Sequence, residues 1–150
     1  MSWLSDRQIE KAIQRHGDVC AQMAFRGIYP LDTLPDDHIQ GPLFLVMNTD
    51  VHNLPGRHWK AIFIDEQQHG EVFDPLATPM SDRLIHYMNR HTRKWTWNQT
   101  MVQHPLSPQC GVYVAFYVTQ RLYYNSLNEF CQLFSHDLNK NELSMSRFYQ

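Results

Sequence analysis

Hydrophobic residues near the start of the chain recur at the spacing of one helix face. They are Leu4, Ile9, Ala12 and Ile13. This spacing predicts an amphipathic helix whose apolar stripe packs on a core. The side chain of Ser5 can cap the start of the helix, and Gln8, three residues later, can reach back to the Ser5 backbone. Gly17 suits the end of the helix.

Short apolar runs later in the chain have the length of strands. The predicted strands are residues 43–47, 59–64, 71–73, 95–97 and 100–102. The first is apolar throughout and bounded by turn-forming residues, which is typical of a strand buried on both faces. Residues 65–70 predict the turn of a hairpin between the second and third strands. Residues 25–42, with three prolines and two glycines, predict irregular structure, and residues 50–56 predict a loop.

Helical patterns dominate the second half of the chain. A helix that begins at Ser81 has an apolar face made of Leu84, Ile85 and Met88. Residues 112–124 are apolar nearly all round, which predicts a fully buried helix. Two shorter helices are predicted at residues 127–134 and 139–148. The order of strands and helices predicts an α+β fold, with residues 1–150 as a single domain.

Composition and charge exclude several classes of protein. Of 150 residues, 43% are hydrophobic, enough to fill one core, and no apolar run approaches the roughly 20 residues that span a bilayer. The N-terminus lacks the basic start and apolar stretch of a signal peptide, so we expect an intracellular protein without membrane association. The net charge of -2 gives no overall attraction to nucleic acid. A local basic cluster, Arg90, His91, Arg93 and Lys94, predicts a solvated helix end with polyanion binding as the alternative.

The three cysteines are odd in number and widely spaced, at Cys20, Cys110 and Cys131. This spacing disfavours a disulfide framework and suits a reducing compartment. Cys20 and Cys131 are interpreted as core residues. The nine histidines show none of the spacings typical of zinc ligands, so no metal site is predicted.

Three short segments carry a base, an acid and a nucleophile in that order: His58, Asp74 and Cys110. A hairpin centred between residues 67 and 68 would place Asp74 opposite about Ala61, near the hairpin end that carries His58. Asp74 could then hold the imidazole of His58 in the correct tautomer. The other acids available for this role are Asp65, Glu66 and Glu71.

Cys110 lies where a turn meets the predicted buried helix. Unpaired backbone N–H groups and the positive end of the helix dipole favour a thiolate at this place. Gly111 would leave space for a substrate carbonyl. The backbone N–H of Cys110 is one donor for a tetrahedral oxyanion, and the side-chain amide of Gln103 or of Gln109 is the candidate second donor.

At these residues the chain resembles the adenovirus protease (adenain) family, which is related to the Ulp1-like deSUMOylating proteases. The matching elements are Asn48-Thr49, His58-Trp59, Phe73-Asp74-Pro75, Gln103 and Cys110-Gly111, with Phe25 to Pro30 and residues 4–17 near the N-terminus. The resemblance covers about residues 4–125. It implies a papain-like or Ulp1-like fold, a mixed central sheet flanked by helices, with the nucleophile at the N-terminus of a buried helix. It also implies roles for four residues: His58 as base, Asp74 as acid, Cys110 as nucleophile and Gln103 as oxyanion donor, with Trp59 packed beside His58.

The resemblance further implies an endopeptidase that cleaves capsid or structural precursors of a virus or of a Polinton/Maverick-type element. Host nucleus and virion are the implied locations, and a viral peptide or DNA the implied activators. The sequence itself requires no cofactor, and its mildly acidic charge differs from that of basic adenain. Asp74 stands where adenain has Glu, as in Ulp1-like enzymes, whereas the seven-residue interval from Gln103 to Cys110 is adenain-like. The alternatives are a Ulp1-like isopeptidase acting on ubiquitin-like modifiers and an inactive protease fold used as a binding module.

Overall fold

A computed structural model of the chain describes residues 3–49 and 58–150. The predicted loop at residues 50–56 lies outside these ranges. The helices are α1 (Asp6–His16), α2 (Val19–Ala24), α3 (Asp82–His91), α4 (Cys110–Gln120), α5 (Leu127–Cys131) and α6 (Leu138–Tyr149). The strands are β1 (Phe25–Pro30), β2 (Leu43–Asn48), β3 (Trp59–Ile64), β4 (His69–Phe73) and β5 (Lys94–Trp97). Short 3-10 turns occur at Leu31–Thr33 and Arg121–Tyr123. The α+β class predicted from the sequence is confirmed.

The described strands form one mixed sheet in the order β1-β2-β3-β4-β5. The central pairs β2/β3 and β3/β4 are antiparallel, and the outer pairs β1/β2 and β4/β5 are parallel. In the hairpin, Ala61 pairs with Phe73 and Ile64 with Gly70, so the hairpin is centred on residue 67. The predicted centre was half a residue later. The observed register directs Asp74, the residue after β4, towards Lys60.

Helices cover both faces of the sheet, which explains why the central strands are apolar throughout. On β3, Trp59, Ala61 and Phe63 join the hydrophobic cluster that includes α4, whereas Ile62 and Ile64 join the cluster that includes α3. Successive strand residues point to opposite faces, so both sets must be apolar. Helix α4 is buried along nearly its whole length, as its sequence predicts.

Helix α1 confirms the predicted N-terminal signals. The Ser5 backbone N–H donates to Gln8 Oε1 at 2.8 Å, and Gln8 N–H donates to Ser5 Oγ at 3.2 Å. The helix ends at Gly17. Its buried face packs close to α4, because a Cβ atom added at Gly111 would meet Leu4 Cβ at 3.0 Å and Ile9 Cδ1 at 3.1 Å. The absence of a side chain at Gly111 therefore allows this close helix contact. The prediction that Gly111 leaves space for a substrate carbonyl is wrong.

Three other local predictions are wrong. Phe25–Pro30 forms strand β1, although irregular structure was predicted for this segment. Its register with β2 is irregular between Phe25 and Ile28, and Gly27 has a positive φ of 118°, so the segment lacks the regular pattern of a strand. Residues 100–102 are not a strand. Cys20 is exposed rather than in the core, whereas Cys131 is half-buried and burial raises the pKa of its thiol to about 11. Within residues 3–49 and 58–150, none of the helices has the length and apolar character needed to cross a bilayer.

A buried ion pair joins the 3-10 turn that follows α4 to strand β4. Arg121 Nε and Nη2 donate to the Glu71 carboxylate at 2.7 and 2.8 Å, and the Tyr117 hydroxyl also donates to it. The Arg121 guanidinium lies 5.1 Å from the centre of the Phe63 ring. The charges of Glu71 and Arg121 are therefore satisfied in the interior.

We expect Glu71→Gln to lower the free energy of unfolding by about 3 kcal/mol, because it leaves the buried guanidinium of Arg121 without its anion. Denaturant unfolding measures this loss. Glu66→Gln is the matched control, since Glu66 is exposed on the hairpin turn and should change stability by less than about 0.5 kcal/mol. Equal stability of both variants would contradict the assigned role of the pair.

Candidate active site

His58 immediately precedes β3, and a backbone hydrogen bond fixes its position. Thr49 N–H donates to the His58 carbonyl at 3.0 Å. His58 Nδ1 lies 3.5 Å from Cys110 Sγ, and His58 Nε2 lies 3.0 Å from Asp74 Oδ1. The structure therefore brings together the base, acid and nucleophile predicted from the sequence.

Asp74 is held by the turn that follows β4. Its carboxylate accepts hydrogen bonds from Leu76 N–H at 2.9 Å, Thr78 N–H at 2.8 Å and the Thr78 hydroxyl at 2.6 Å. Asn98 holds the backbone of the same residue, accepting from Asp74 N–H at 2.8 Å and donating to its carbonyl at 2.7 Å. With its side chain fully buried, Asp74 has little freedom to turn.

The other acids weighed for this role are engaged elsewhere or exposed. Glu71 is paired with Arg121. Asp65 accepts from the N–H groups of Gln67 and His69 in the hairpin turn, both at 2.9 Å. Glu66 is exposed on the same turn. Of the four candidate acids, Asp74 is the one in contact with the His58 ring.

The contact between His58 and Asp74 joins an imidazole to a carboxylate. His58 Nε2 and Asp74 Oδ1 are 3.0 Å apart, so the protonated ring and the carboxylate form an ion pair. Burial lowers the pKa of His58, but the neighbouring Asp74 and Cys110 outweigh it and raise the pKa to about 9. Burial likewise opposes ionisation of Asp74, but His58, Thr78 and Lys60 lower its pKa to about 2. At neutral pH the ring and the carboxylate are therefore oppositely charged.

Cys110 is the first residue of α4, at the positive end of the helix dipole. Its exposed fraction is 0%, whereas the His58 side chain retains 20%. The site thus meets the surface at the His58 ring rather than at the sulfur. Trp59 belongs to the same hydrophobic cluster as Cys110.

The two candidate glutamines have different surroundings. Gln103 is fully buried, and its side-chain Nε2 donates to the Ser107 carbonyl at 2.9 Å. Its backbone N–H donates to the Pro75 carbonyl at 3.1 Å, so Gln103 joins the turn that carries Asp74 to the turn that precedes Cys110. The amide has a second hydrogen for another acceptor.

Gln109 faces the C-terminal helix instead. Its side-chain Nε2 donates to Glu142 Oε1 at 2.9 Å, and its Oε1 accepts from the Ser146 hydroxyl at 3.2 Å. Both partners lie on α6. This arrangement disfavours Gln109 as the oxyanion donor.

The sequence reasoning missed three residues that hold the acid in place: Lys60, Thr78 and Asn98. Lys60 had a readable signal, because the predicted hairpin register places Asp74 opposite about Ala61, the residue next to Lys60. Thr78 also had one, since Asp-Pro is a turn start whose side chain accepts from residues just downstream. Asn98 gave no such signal, because its contact with Asp74 is made through the tertiary fold.

Comparisons with known proteins find similarity to cysteine proteases. The sequence is 34% identical over 90 residues to cysteine protease S273R of African swine fever virus, a match that takes in 51% of this chain and 33% of the relative. The structure matches the crystal structure of the African swine fever virus pS273R protease with a TM-score of 0.66 and 19% identity, over 96% of this chain and 66% of that one. It matches the SUMO protease Ulp1 with a TM-score of 0.54 and 16% identity, over 98% and 75% of the two chains. No protein-family model matches the sequence.

The structural matches establish a shared fold. They confirm the predicted Ulp1-like cysteine protease fold, and the sequence match confirms the predicted resemblance to viral cysteine proteases of this group. The matched part of the curated relative is about a third of that protein.

Proposed function

We propose that this chain is a cysteine endopeptidase in which Cys110 is the nucleophile, His58 the general base and Asp74 the residue that orients the ring. One observation carries the proposal: one nitrogen of the His58 imidazole contacts Cys110 and the other contacts Asp74. His58 Nδ1 lies 3.5 Å from the sulfur and Nε2 lies 3.0 Å from the carboxylate. A thiol protease needs this arrangement, because the base must contact the nucleophile and the acid must hold the base.

The chemistry follows from the charges of the pair. The proton of the thiol resides on His58 Nδ1, and the resulting thiolate attacks the carbonyl carbon of the scissile bond. The backbone N–H of Cys110 and the second amide hydrogen of Gln103 stabilise the oxyanion. His58 then protonates the leaving amine, and a thioester forms at Cys110. The ring next removes a proton from water, which attacks the thioester and releases the acid product.

The proposed substrates are capsid or structural precursors of a virus or a virus-like element. The sequence similarity to a viral cysteine protease supports this choice. We further propose an intracellular site of action, since a thiolate nucleophile survives in a reducing compartment, with host nucleus and virion as the locations that the resemblance suggests. We also propose that a viral peptide or DNA activates the protease, as the family resemblance implies.

Two other functions each have an observation in their favour. The fold shared with the SUMO protease Ulp1 supports an isopeptidase that acts on ubiquitin-like modifiers. The complete burial of Cys110 supports an inactive protease fold used as a binding module, because a nucleophile must be reached by its substrate.

One experiment separates the three functions. In three separate incubations, purified protein is mixed with denatured viral structural precursors, with modifier-fused probes, or with iodoacetamide. The products of each incubation are identified by mass spectrometry. We expect cleavage of the precursors and alkylation of buried Cys110 faster than of exposed Cys20, because a thiolate reacts whereas a thiol does not. Turnover of the modifier probes alone would support the isopeptidase. Slower alkylation of Cys110 than of Cys20, with no cleavage, would support the binding module.

A further inference from the structure

Lys60 is a buried lysine beside the candidate active site. It is the second residue of β3, its exposed fraction is 3%, and its Nζ lies 3.4 Å from Asp74 Oδ2. Lysine is rarely buried without an anion, because removing an ammonium group from water is costly. Among the residues described, the carboxylate of Asp74 is the one with which Lys60 forms an ion pair.

The carboxylate of Asp74 divides its contacts between two sides. Oδ1 faces His58 and the N–H of Leu76, whereas Oδ2 faces Lys60 and both donors of Thr78. Rotation of the carboxylate would break contacts on both sides at once. The single negative charge is therefore fixed in orientation and shared by two positively charged partners.

We propose that Lys60 is a positioning residue that fixes the carboxylate of Asp74 and offsets part of its charge, so that the His58 imidazolium can release its proton to the leaving amine. This inference rests on the proposed protease function. An imidazolium held by an unshared buried carboxylate is a weak acid, and a weak acid protonates a leaving group poorly. Lys60 moderates this attraction from the opposite edge of the carboxylate.

The sign of the effect follows from electrostatics. Removing a fixed positive charge stabilises the protonated form of every nearby titratable group, so each pKa rises. The charged groups that face Asp74 in the described chain are His58, from the segment that leads into β3, and Lys60, from β3 itself. The turn after β4 and Asn98 contribute neutral donors. Loss of Lys60 thus leaves His58 as the sole positive partner.

The test replaces Lys60 by residues without charge. In Lys60→Met, which keeps the length of the side chain, we expect both limbs of the pH profile of kcat/KM to move up by about one pH unit. At pH 7, kcat should fall about tenfold with little change in KM, since substrate binding is not touched. Lys60→Arg keeps the charge and should restore the positions of both limbs. Lys94→Met, at an exposed position of β5, is the control for loss of a lysine.

A substrate-free measurement keeps this inference separate from the proposed function. The His58 ring is titrated by NMR in the wild type and in Lys60→Met, with His58→Gln used to assign its signals. A rise of its pKa by about one unit supports the role of Lys60. An unchanged titration in a folded variant overturns it. Should Lys60→Met fail to fold, Lys60→Gln carries the same test, and a wild-type titration in that variant also overturns the charge effect. If Lys60→Met shifts the His58 titration but the wild type cleaves no substrate, the protease function is refuted and the role of Lys60 in setting the pKa of His58 is not.

Discussion

Replacing Cys110 with alanine is expected to abolish peptide-bond cleavage, because no other group in the site can form the thioester. The sulfur is the atom that lies 3.5 Å from His58 Nδ1. Removing a triad nucleophile leaves only the rate that binding and oxyanion stabilisation can supply, a loss of roughly a millionfold in well-studied proteases. Cleavage of a precursor peptide, followed by mass spectrometry, measures the effect.

The fold should survive this change. Cys110 is fully buried, and loss of one sulfur atom leaves a small cavity that costs about 1 kcal/mol of unfolding free energy. Cys20→Ala is the matched control, because Cys20 is exposed and lies outside the site, so its activity should equal that of the wild type. Cleavage by Cys110→Ala at a rate near the wild type would remove the proposed nucleophile from consideration.

The second large effect is expected from Asp74→Asn, for a reason visible in the hydrogen bonds of the turn. Thr78 presents two donors to Oδ2, so the amide oxygen of an asparagine would face Thr78 and its NH2 group would face His58. The NH2 group can only donate to Nε2, which selects the tautomer with a hydrogen on Nδ1. A ring in that tautomer cannot accept the proton of Cys110. We expect kcat to fall roughly a thousandfold or more, yet less than in Cys110→Ala.

Steady-state kinetics with the same peptide measure this loss. Asp65→Asn is the matched control, since Asp65 serves the hairpin turn and makes no contact with His58 among the interactions described. Its kcat should stay within about twofold of the wild type. Equal or higher activity in Asp74→Asn would mean that a different acid orients the ring.

Local patterns were sufficient to predict the parts of the site that depend on one element at a time. The nearly uniform apolar character of residues 112–124 predicted a buried helix, which placed Cys110 at the start of a helix. The turn between β3 and β4 predicted the hairpin that brings Asp74 to His58, within half a residue of the observed centre. Ser5 and Gln8 predicted the first helix because a capping box is a contact between near neighbours.

Features that depend on distant residues could not be predicted in this way. Strand β1 contains Gly27 and ends at Pro30, and it is stabilised by parallel pairing with β2, which its own sequence does not reveal. The bonds between Asn98 and Asp74 join segments that only the folded sheet brings together. The exposure of Cys20 depends on how α2 lies against the rest of the molecule, and a six-residue helix has little periodicity from which to predict it.

The imidazole and the carboxylate are carried by one hairpin, whereas the sulfur is carried by a helix packed against one face of that hairpin. No covalent link or short loop sets the distance between these two parts. Their separation depends on how tightly aromatic and aliphatic side chains fill the layer between them. The proposed activity should therefore be sensitive to packing. A variant in which this layer expands slightly could be inactive although His58, Asp74 and Cys110 are all present.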